Sequence, residues 1–536
     1  KIYDFPIFFA PKFSHPDPSV KRASGLLAPS LTNSTTVGSG FALPYFWNIA
    51  KDRDLTLTPK FYVAENPLLL AEYRQAFMSS YLIVDAGYTP GYKKKDNKKT
   101  DGGRAHFFSN FNKIFLNEQD RKSSLEINVE KVSNDTYLKI HNIDTSLADK
   151  NEIVLENKLD FIYQDKDFFL GLAPSFFEDT TKHSNKRYEY LLPLTIEKNI
   201  MANAKYGFLD LGSNLKLRNY ETNKQSNILV NDFNWKSNNF LNSLGLESYF
   251  EGLIKAVNYD TKKTTEYKNE KLNSEAHAAL GYFAKLGLYK EDIMNKNFYS
   301  LTPKILLRHS PGHMRNIEGG RLNYGNLFNL NKVNQFDIIE PGLSTSIGFE
   351  YSKSKLNDAN IIGDEVFSFS AGQVISAKEN MDIPSSTSLD QHFSDIVGET
   401  KFTINNKLNL NYNFSIDQGY KNFNYNEVGA DLTFDKAKFN LDYLQEKKHI
   451  GTTEYVQTGL DYKLNNFTEL SFSTKRNLLK NSAEFYNMSY NYINDCLKAG
   501  IAYRREFYTD RDIEPVNTLM FTISIIPFAQ INSPSF

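Results

Sequence analysis

The segment KLNLNYNFSID, residues 407–417, alternates without a break. Leu408, Leu410, Tyr412, Phe414 and Ile416 are interleaved with Asn409, Asn411, Asn413 and Ser415. Successive side chains of a β-strand point to opposite faces, so this stretch reads as a strand with one apolar and one polar face. The same period returns in VFSFSAG (Phe367, Phe369), AKFNLDYLQ (Phe439, Leu441, Tyr443), TELSFSTK (Leu470, Phe472) and MFTISII (Phe521, Ile523, Ile525). Amphipathic helical spacing is scarce. From near Arg22 to near Phe528 the alternation predicts about 26 strands.

The links between these segments are of two kinds. Asn405-Asn406, Asp435-Lys436 and Asn465-Asn466 are short, and Asn and Asp tolerate the left-handed backbone that tight hairpins need. Residues 91–103, 257–270, 309–335 and 377–394 are read as long polar connections. Antiparallel strands of even number, with short turns at one end and long loops at the other, form the pattern of an outer-membrane barrel.

Composition permits this reading. Of 536 residues, 41 are Phe and 32 Tyr against 2 Trp, and 23 % are charged, too aromatic for a disordered chain and too polar for helical membrane spans. No apolar run reaches the roughly 18 to 20 residues that a membrane helix requires. A soluble sandwich of this many strands would need a second layer over its apolar face. In a barrel that face meets lipid, while a face rich in Asn, Ser, Thr, Lys and Asp lines a wet lumen. The fold expected is therefore all-β, a transmembrane antiparallel barrel.

Net charge is -1, which gives no bulk basic surface for nucleic acid. The densest lysine cluster, Lys93-Lys94-Lys95 with Lys98 and Lys99, has the composition of a solvated loop tip. Cys496 is the only cysteine, so no internal disulfide forms. His309 and His313 have helical zinc-pair spacing, but Pro311 and Gly312 lie between them and break such a helix. No Walker loop or nucleophile elbow is present, so neither an enzyme, a metal site nor a cofactor is expected. The start at Lys1 reads as a processed or truncated chain. Phe528, which closes the final alternating run, and the terminal Phe536 read as a barrel-insertion signal.

Prolines crowd the beginning. Six of the 18 fall within the first 44 residues, and proline, lacking an N–H, belongs at sheet edges or bulges. The pattern places Pro16 and Pro18 where the first strand begins, Pro29 near its far end and Pro44 in the second strand. Pro515 and Pro527 flank the last strand.

Four elements then carry a resemblance: a proline-flanked segment from Pro6 to Pro11, KRASGLLAP from Lys21 to Pro29, LPYFWNIA from Leu43 to Ala50, and DLTLTP from Asp54 to Pro59. Together they resemble the LptD family of outer-membrane lipopolysaccharide assembly proteins, at the junction of its periplasmic jellyroll with its barrel. The most specific positions are Lys21, Arg22, Ser24, Gly25, Pro44, Tyr45, Trp47 and Asn48. LTPKILLRHSP (301–311) and LFNLNKVNQFDIIEPGLSTSIGFEY (327–351) are similar to the mid-barrel region of the family, with its L-F-x-x-N-[RK] and D-x-x-E-x-G elements.

The resemblance implies residues 1–14 as the remnant of the periplasmic β-jellyroll and 15–536 as the barrel. It implies integral placement in the bacterial outer membrane, with lipopolysaccharide as substrate, an LptE-like plug lipoprotein in the lumen, a periplasmic transport bridge reached through the missing N-terminal domain, and the barrel-assembly machinery as partners. Cys496 stands where family members often carry a cysteine pair, so a disulfide to that missing region and a free thiol are both open. Acyl chains avoid a wet pore at about 0.8 kcal/mol per CH₂, and sugars avoid lipid. A lateral exit between first and last strands, weakened by Pro16, Pro18, Pro29, Pro44, Pro515 and Pro527, solves both problems. The alternatives are a porin-like passive barrel, which needs a closed seam, and a secreted β-sandwich adhesin or carbohydrate binder, which would be soluble without detergent.

Overall fold

The structure, a computed structural model, describes residues 22–525 apart from 94–101, 183, 270, 316–319, 358–360, 405–406, 449–450, 495–496 and 509–514. All strand segments belong to one sheet. Five crossings are made in two pieces: Gly25–Leu26 with Ser30–Ser34, Gly38–Ala42 with Tyr45–Ala50, Phe168–Leu172 with Ser175–Asp179, Lys224–Lys236 with Phe240–Leu241, and Asn273–Leu286 with Leu288–Asp292. With the pieces joined there are 26 strands, the number that the alternation predicts. Each pairs antiparallel with the next, and Ser30–Ser34 pairs with Val516–Ile525 to close the barrel.

The opening segment behaves as its alternation requires. Leu408–Ile416 pairs with Ile396–Ile404 on one side and Phe423–Thr433 on the other. Around the barrel, Leu470, Phe472, Phe521 and Ile523 are exposed on the outer wall, the face that meets lipid.

The two ends differ. At one end the turns are short, as at 51–52, 77–79, 165–167, 204–206 and 434–436. At the other lie the links 133–153, 311–341 and 377–395. Two of the long links begin later than their polarity suggests. Residues 257–262 still belong to the strand Leu246–Lys262, because Val257 and Tyr259 bury themselves against Ile228 and Val230 of the neighbouring strand. Likewise 309–310 complete the strand Asn297–Ser310.

The lumen is less wet than expected. Met314, Leu322, Tyr324, Leu327, Val333 and Ile338 of the link 311–341 form a buried cluster with Val374 and Val397 of the wall. A loop can enter the barrel this way because its apolar side chains find one another as well as the inner wall.

Candidate functional site: the barrel seam and its lumenal lining

The closing ladder is short. Ser30 pairs with Thr522, Leu31 with Phe521, Thr32 with Met520, Asn33 with Leu519 and Ser34 with Thr518, five pairs in all. On its other edge the last strand makes ten pairs with Leu497–Glu506. At about 0.5–1.5 kcal/mol net per backbone hydrogen bond, the seam is several kcal/mol weaker than that neighbouring pair. Continuing the register would set Pro29 against Ile523, and Pro29 has no N–H to offer. Pro29 therefore sits at the middle of the first strand, between its two pieces, and not near its far end as the alternation alone indicates.

The second strand breaks at the same level. Leu43 and Pro44 separate its pieces, and the Leu27 N–H donates to the Pro44 carbonyl at 2.8 Å. Below the break Gly25 pairs with Phe46 and Leu26 with Tyr45; above it Ser30 pairs with Ala42, one residue out of step with the lower register. The extra residue makes a bulge in the first strand. Proline alone does not produce such a slip. Pro174 also splits a strand, yet Phe168↔Lys198 and Ser175↔Leu191 stay in one register across it.

The motif residues tie the base of the first strand to the second and third. Arg22 and Asp54 form an ion pair, and Asp54 is shared with Arg74, whose Nε lies 2.9 Å from Oδ1. The Asn48 N–H donates to Ser24 Oγ at 2.9 Å, and Asn48 Nδ2 donates to the Arg22 carbonyl at 3.2 Å. The Arg22 guanidinium also lies over the Phe46 ring. The three sequence elements KRASGLLAP, LPYFWNIA and DLTLTP thus converge on one clamp, while Tyr45 and Trp47 face outward. Among the described residues the first strand is held firmly on one side and by a half-length ladder on the other. Lys21, Pro16, Pro18, Pro527, Phe528, Phe536 and Cys496 lie outside the described residues. Pro515 is exposed and directly precedes the last strand.

A strap lies behind the seam. The link 133–153 carries one short helix, Tyr137–Ile140. Tyr137, Leu138, Ile143 and Ala148 bury against Leu68, Leu70, Phe108 and Val132 of the wall. His106 fixes the strap polarly, with Nδ1 3.3 Å from the Tyr137 hydroxyl and Nε2 2.8 Å from Asp85 Oδ1. From this anchor the strap reaches the seam: Ile140 packs on Val37, beyond the first strand, and Lys139 Nζ sits 3.9 Å over the Tyr508 ring, short of the last. Between strap and seam lies a cavity of about 310 Å³, walled by Ser30, Thr32 and Ser34 of the first strand and Val516, Thr518 and Met520 of the last.

The mid-barrel elements LFNLNK and DIIEPG form a second lumenal feature. Arg308 on the wall donates from Nε to the Leu330 carbonyl at 2.6 Å and from Nη2 to the Glu340 carbonyl at 2.5 Å. Its Nη2 also lies 3.3 Å from Glu340 Oε1, and Lys332 Nζ lies 3.9 Å from the same oxygen. Burial pushes the Lys332 ammonium down to about 7, the Arg308 cation adds to the effect, and Glu340 and Glu251 oppose it. Farther along, Arg315 pairs with Asp337 at 2.6 Å and Glu275 at 3.4 Å, and Arg321 reaches Glu446 at 2.9 Å on another part of the wall. Gly281 lets the loop approach: a Cβ there would lie 2.6 Å from Leu330 Cδ2. Sequence reading placed these motifs mid-barrel but gave Arg308, Lys332 and Glu340 no role. Only their pairing across the lumen reveals one. His309 is the penultimate residue of the strand Asn297–Ser310 and His313 lies in the loop, with its ring 6.0 Å from that of His277.

A family model described as LPS transport system D matches residues 104–482. An LPS-assembly protein LptD of Nitrosococcus oceani is 30% identical over 164 residues, which are 31% of this chain and 21% of that protein. That of Haemophilus influenzae is 25% identical over 405 residues, 70% of this chain and 49% of that protein. In both relatives the match spans about half of the length or less. The ferric enterobactin receptor of Pseudomonas aeruginosa superposes with a TM-score of 0.32 at 9% identity, covering 94% of this chain and 81% of that one, a similarity without bearing on function.

Proposed function

The chain belongs to the LptD family, LPS transport system D, and on that premise we propose that it is the barrel of a translocon that inserts lipopolysaccharide into the outer leaflet of the bacterial outer membrane. The polar headgroup travels through the lumen, and the acyl chains leave sideways between the first and last strands. The observation that carries this reading is the closing ladder, five pairs long and ending against Pro29, beside a ten-pair neighbour. Opening such a seam costs less than opening any fully paired junction. The clamp of Arg22, Ser24, Asn48 and Asp54 supports a movement in which the first strand stays with the second and third and parts from the last.

In this reading Pro29 and Pro44 limit pairing in the membrane, and Pro16, Pro18, Pro515 and Pro527 extend the weakness to the ends of the seam. Residues 1–14 are the end of a periplasmic jellyroll and 15–536 the barrel. Phe528 and Phe536 serve recognition by the barrel-assembly machinery. An LptE-like lipoprotein occupies the lumen below the loop 311–341, and Cys496 is the residue open either to a disulfide with the periplasmic region or to a free thiol.

The test is a locked seam. Thr32→Cys with Met520→Cys, in a Cys496→Ser background, places two thiols at one paired position of the ladder. Oxidised cells should stop delivering lipopolysaccharide to the surface and resume on reduction. Undiminished delivery by the oxidised, cross-linked protein overturns the reading.

A further inference from the structure

The cavity behind the seam carries an excess of positive charge. Lys60, Lys139, Lys150 and Arg504 line it, against Asp144 and Glu506. Arg504 forms an ion pair with Glu506, with Nε 2.5 Å from Oε1. Lys150 is not neutralised in this way, since its Nζ donates to the neutral Asn142 Oδ1 at 2.7 Å. Lys60 forms no ion pair among the described residues. Burial lowers the ammonium pKa of Lys150 and the Arg504 cation adds to the effect, while Asp144, Glu506 and Asp149, none of them in contact, oppose it. Two lysines held in a partly dry cavity without a carboxylate in contact are stabilised by an anion that enters it.

The remaining lining specifies which anion. Ser30, Thr32, Ser34 and Thr518 add hydroxyl donors to the same lining, on the seam strands. Ammonium groups and hydroxyls lining one cavity suit a tetrahedral oxyanion with several acceptor oxygens. The volume of about 310 Å³ admits a phosphorylated sugar unit and is too small for a lipid with its chains. The wall made by the first and last strands is the one that must part for a lateral exit.

We propose that Lys60 and Lys150 form a binding site for a phosphate monoester on the sugar headgroup of a glycolipid, held against the inner face of the seam before its chains leave the barrel. The inference rests on the lateral-exit reading for its sequence of events, but the site itself is measured without transport. Occupancy brings the anion against the strand residues of the seam, so headgroup arrival and seam opening share one location.

The experiment uses the full chain purified in detergent and three probes: a disaccharide lipid bearing phosphate monoesters, the same lipid dephosphorylated, and inorganic phosphate. The wild type should bind the phosphorylated lipid at least tenfold more tightly than the dephosphorylated one. Lys60→Gln with Lys150→Gln should lose that preference and leave affinity for the dephosphorylated lipid unchanged. Preference retained by the double variant, or absent from the wild type, overturns the proposal, and so does inorganic phosphate binding as tightly as the lipid, which marks a free-anion site. Heat-modifiable electrophoretic mobility reports folding; Lys150→Gln alone, on the strap, should show a partial loss if the double variant does not assemble. A failed binding result with a seam that still controls delivery removes this site only. Delivery indifferent to the locked seam, with phosphate preference intact, removes only the lateral-exit reading.

Discussion

Ser30 faces Thr522 at the last rung of the closing ladder, and the residue before Ser30 is Pro29. The ladder stops where the chain has no N–H to continue it. The result is five pairs at the seam against ten on the other edge of the last strand, a difference of several kcal/mol, and the ladder ends at a proline.

Restoring that N–H should strengthen the seam. Pro29→Ala is expected to add about 1 kcal/mol to seam stability and to slow lipopolysaccharide arrival at the cell surface severalfold. Pro174→Ala makes the same chemical change in a strand whose register does not slip, and delivery should be unaffected. Surface labelling after a pulse of lipid synthesis measures both; equal slowing in the two variants would remove the special status of Pro29.

The clamp makes a stability prediction. The Asp54 side chain is 4% exposed and serves Arg22 and Arg74, of which Arg22 is 37% exposed. Asp54→Ala leaves Arg74 only Glu72, 3.7 Å from its Nε, in a mostly buried place, and the loss should be about 1–2 kcal/mol, discounted for the solvent around Arg22. The heat-modifiability midpoint of the purified barrel should fall, while Arg22→Gln alone should lower it less.

Gly281 tests whether the loop 311–341 occludes the lumen. A Cβ at this position meets the side chains of Leu330 and Leu306. Gly281→Val should displace Leu330 at a cost of about 1–3 kcal/mol, raising bilayer conductance and sensitivity to bulky antibiotics. Gly281→Ala should give a smaller effect in the same direction.

Lys332 makes the docking of that loop depend on pH. Its folded-state pKa is lowered to about 7 from 10.5, so the released loop binds more protons between those values. Docking should therefore strengthen as pH rises from about 7 toward 10.5, and the cost of the buried cation is fully present below about 7. Limited proteolysis of residues 311–341, compared at each pH with Lys332→Met, should show protection increasing to pH 9 in the wild type only. A parallel slope in Lys332→Met would assign the effect elsewhere.

Much of the fold was legible because a strand in lipid must alternate. KLNLNYNFSID has no other way to hide its leucines and aromatics, and repeating that pattern yields 26 strands and a closed barrel. Where burial continued past the membrane, as at Val257 and Tyr259, polarity alone ended the strand too early. The motif Arg22, Ser24 and Asn48 was visible as letters, but its purpose as a clamp appears only when Asp54 and Arg74 come to it through sheet pairing.

The wall is written locally in the chain: periodicity is local, and each residue's choice between lipid and lumen is made by its own side chain. Tertiary structure alone decided what fills the wall and where it is weak. Lys332 meets Glu340 and Arg308, Lys150 comes behind Thr32 and Thr518, and Ser30 comes opposite Thr522 because loops fold inward and the two ends of the chain meet. These contacts join residues up to hundreds of positions apart, and nothing in the local pattern of either partner specifies the other.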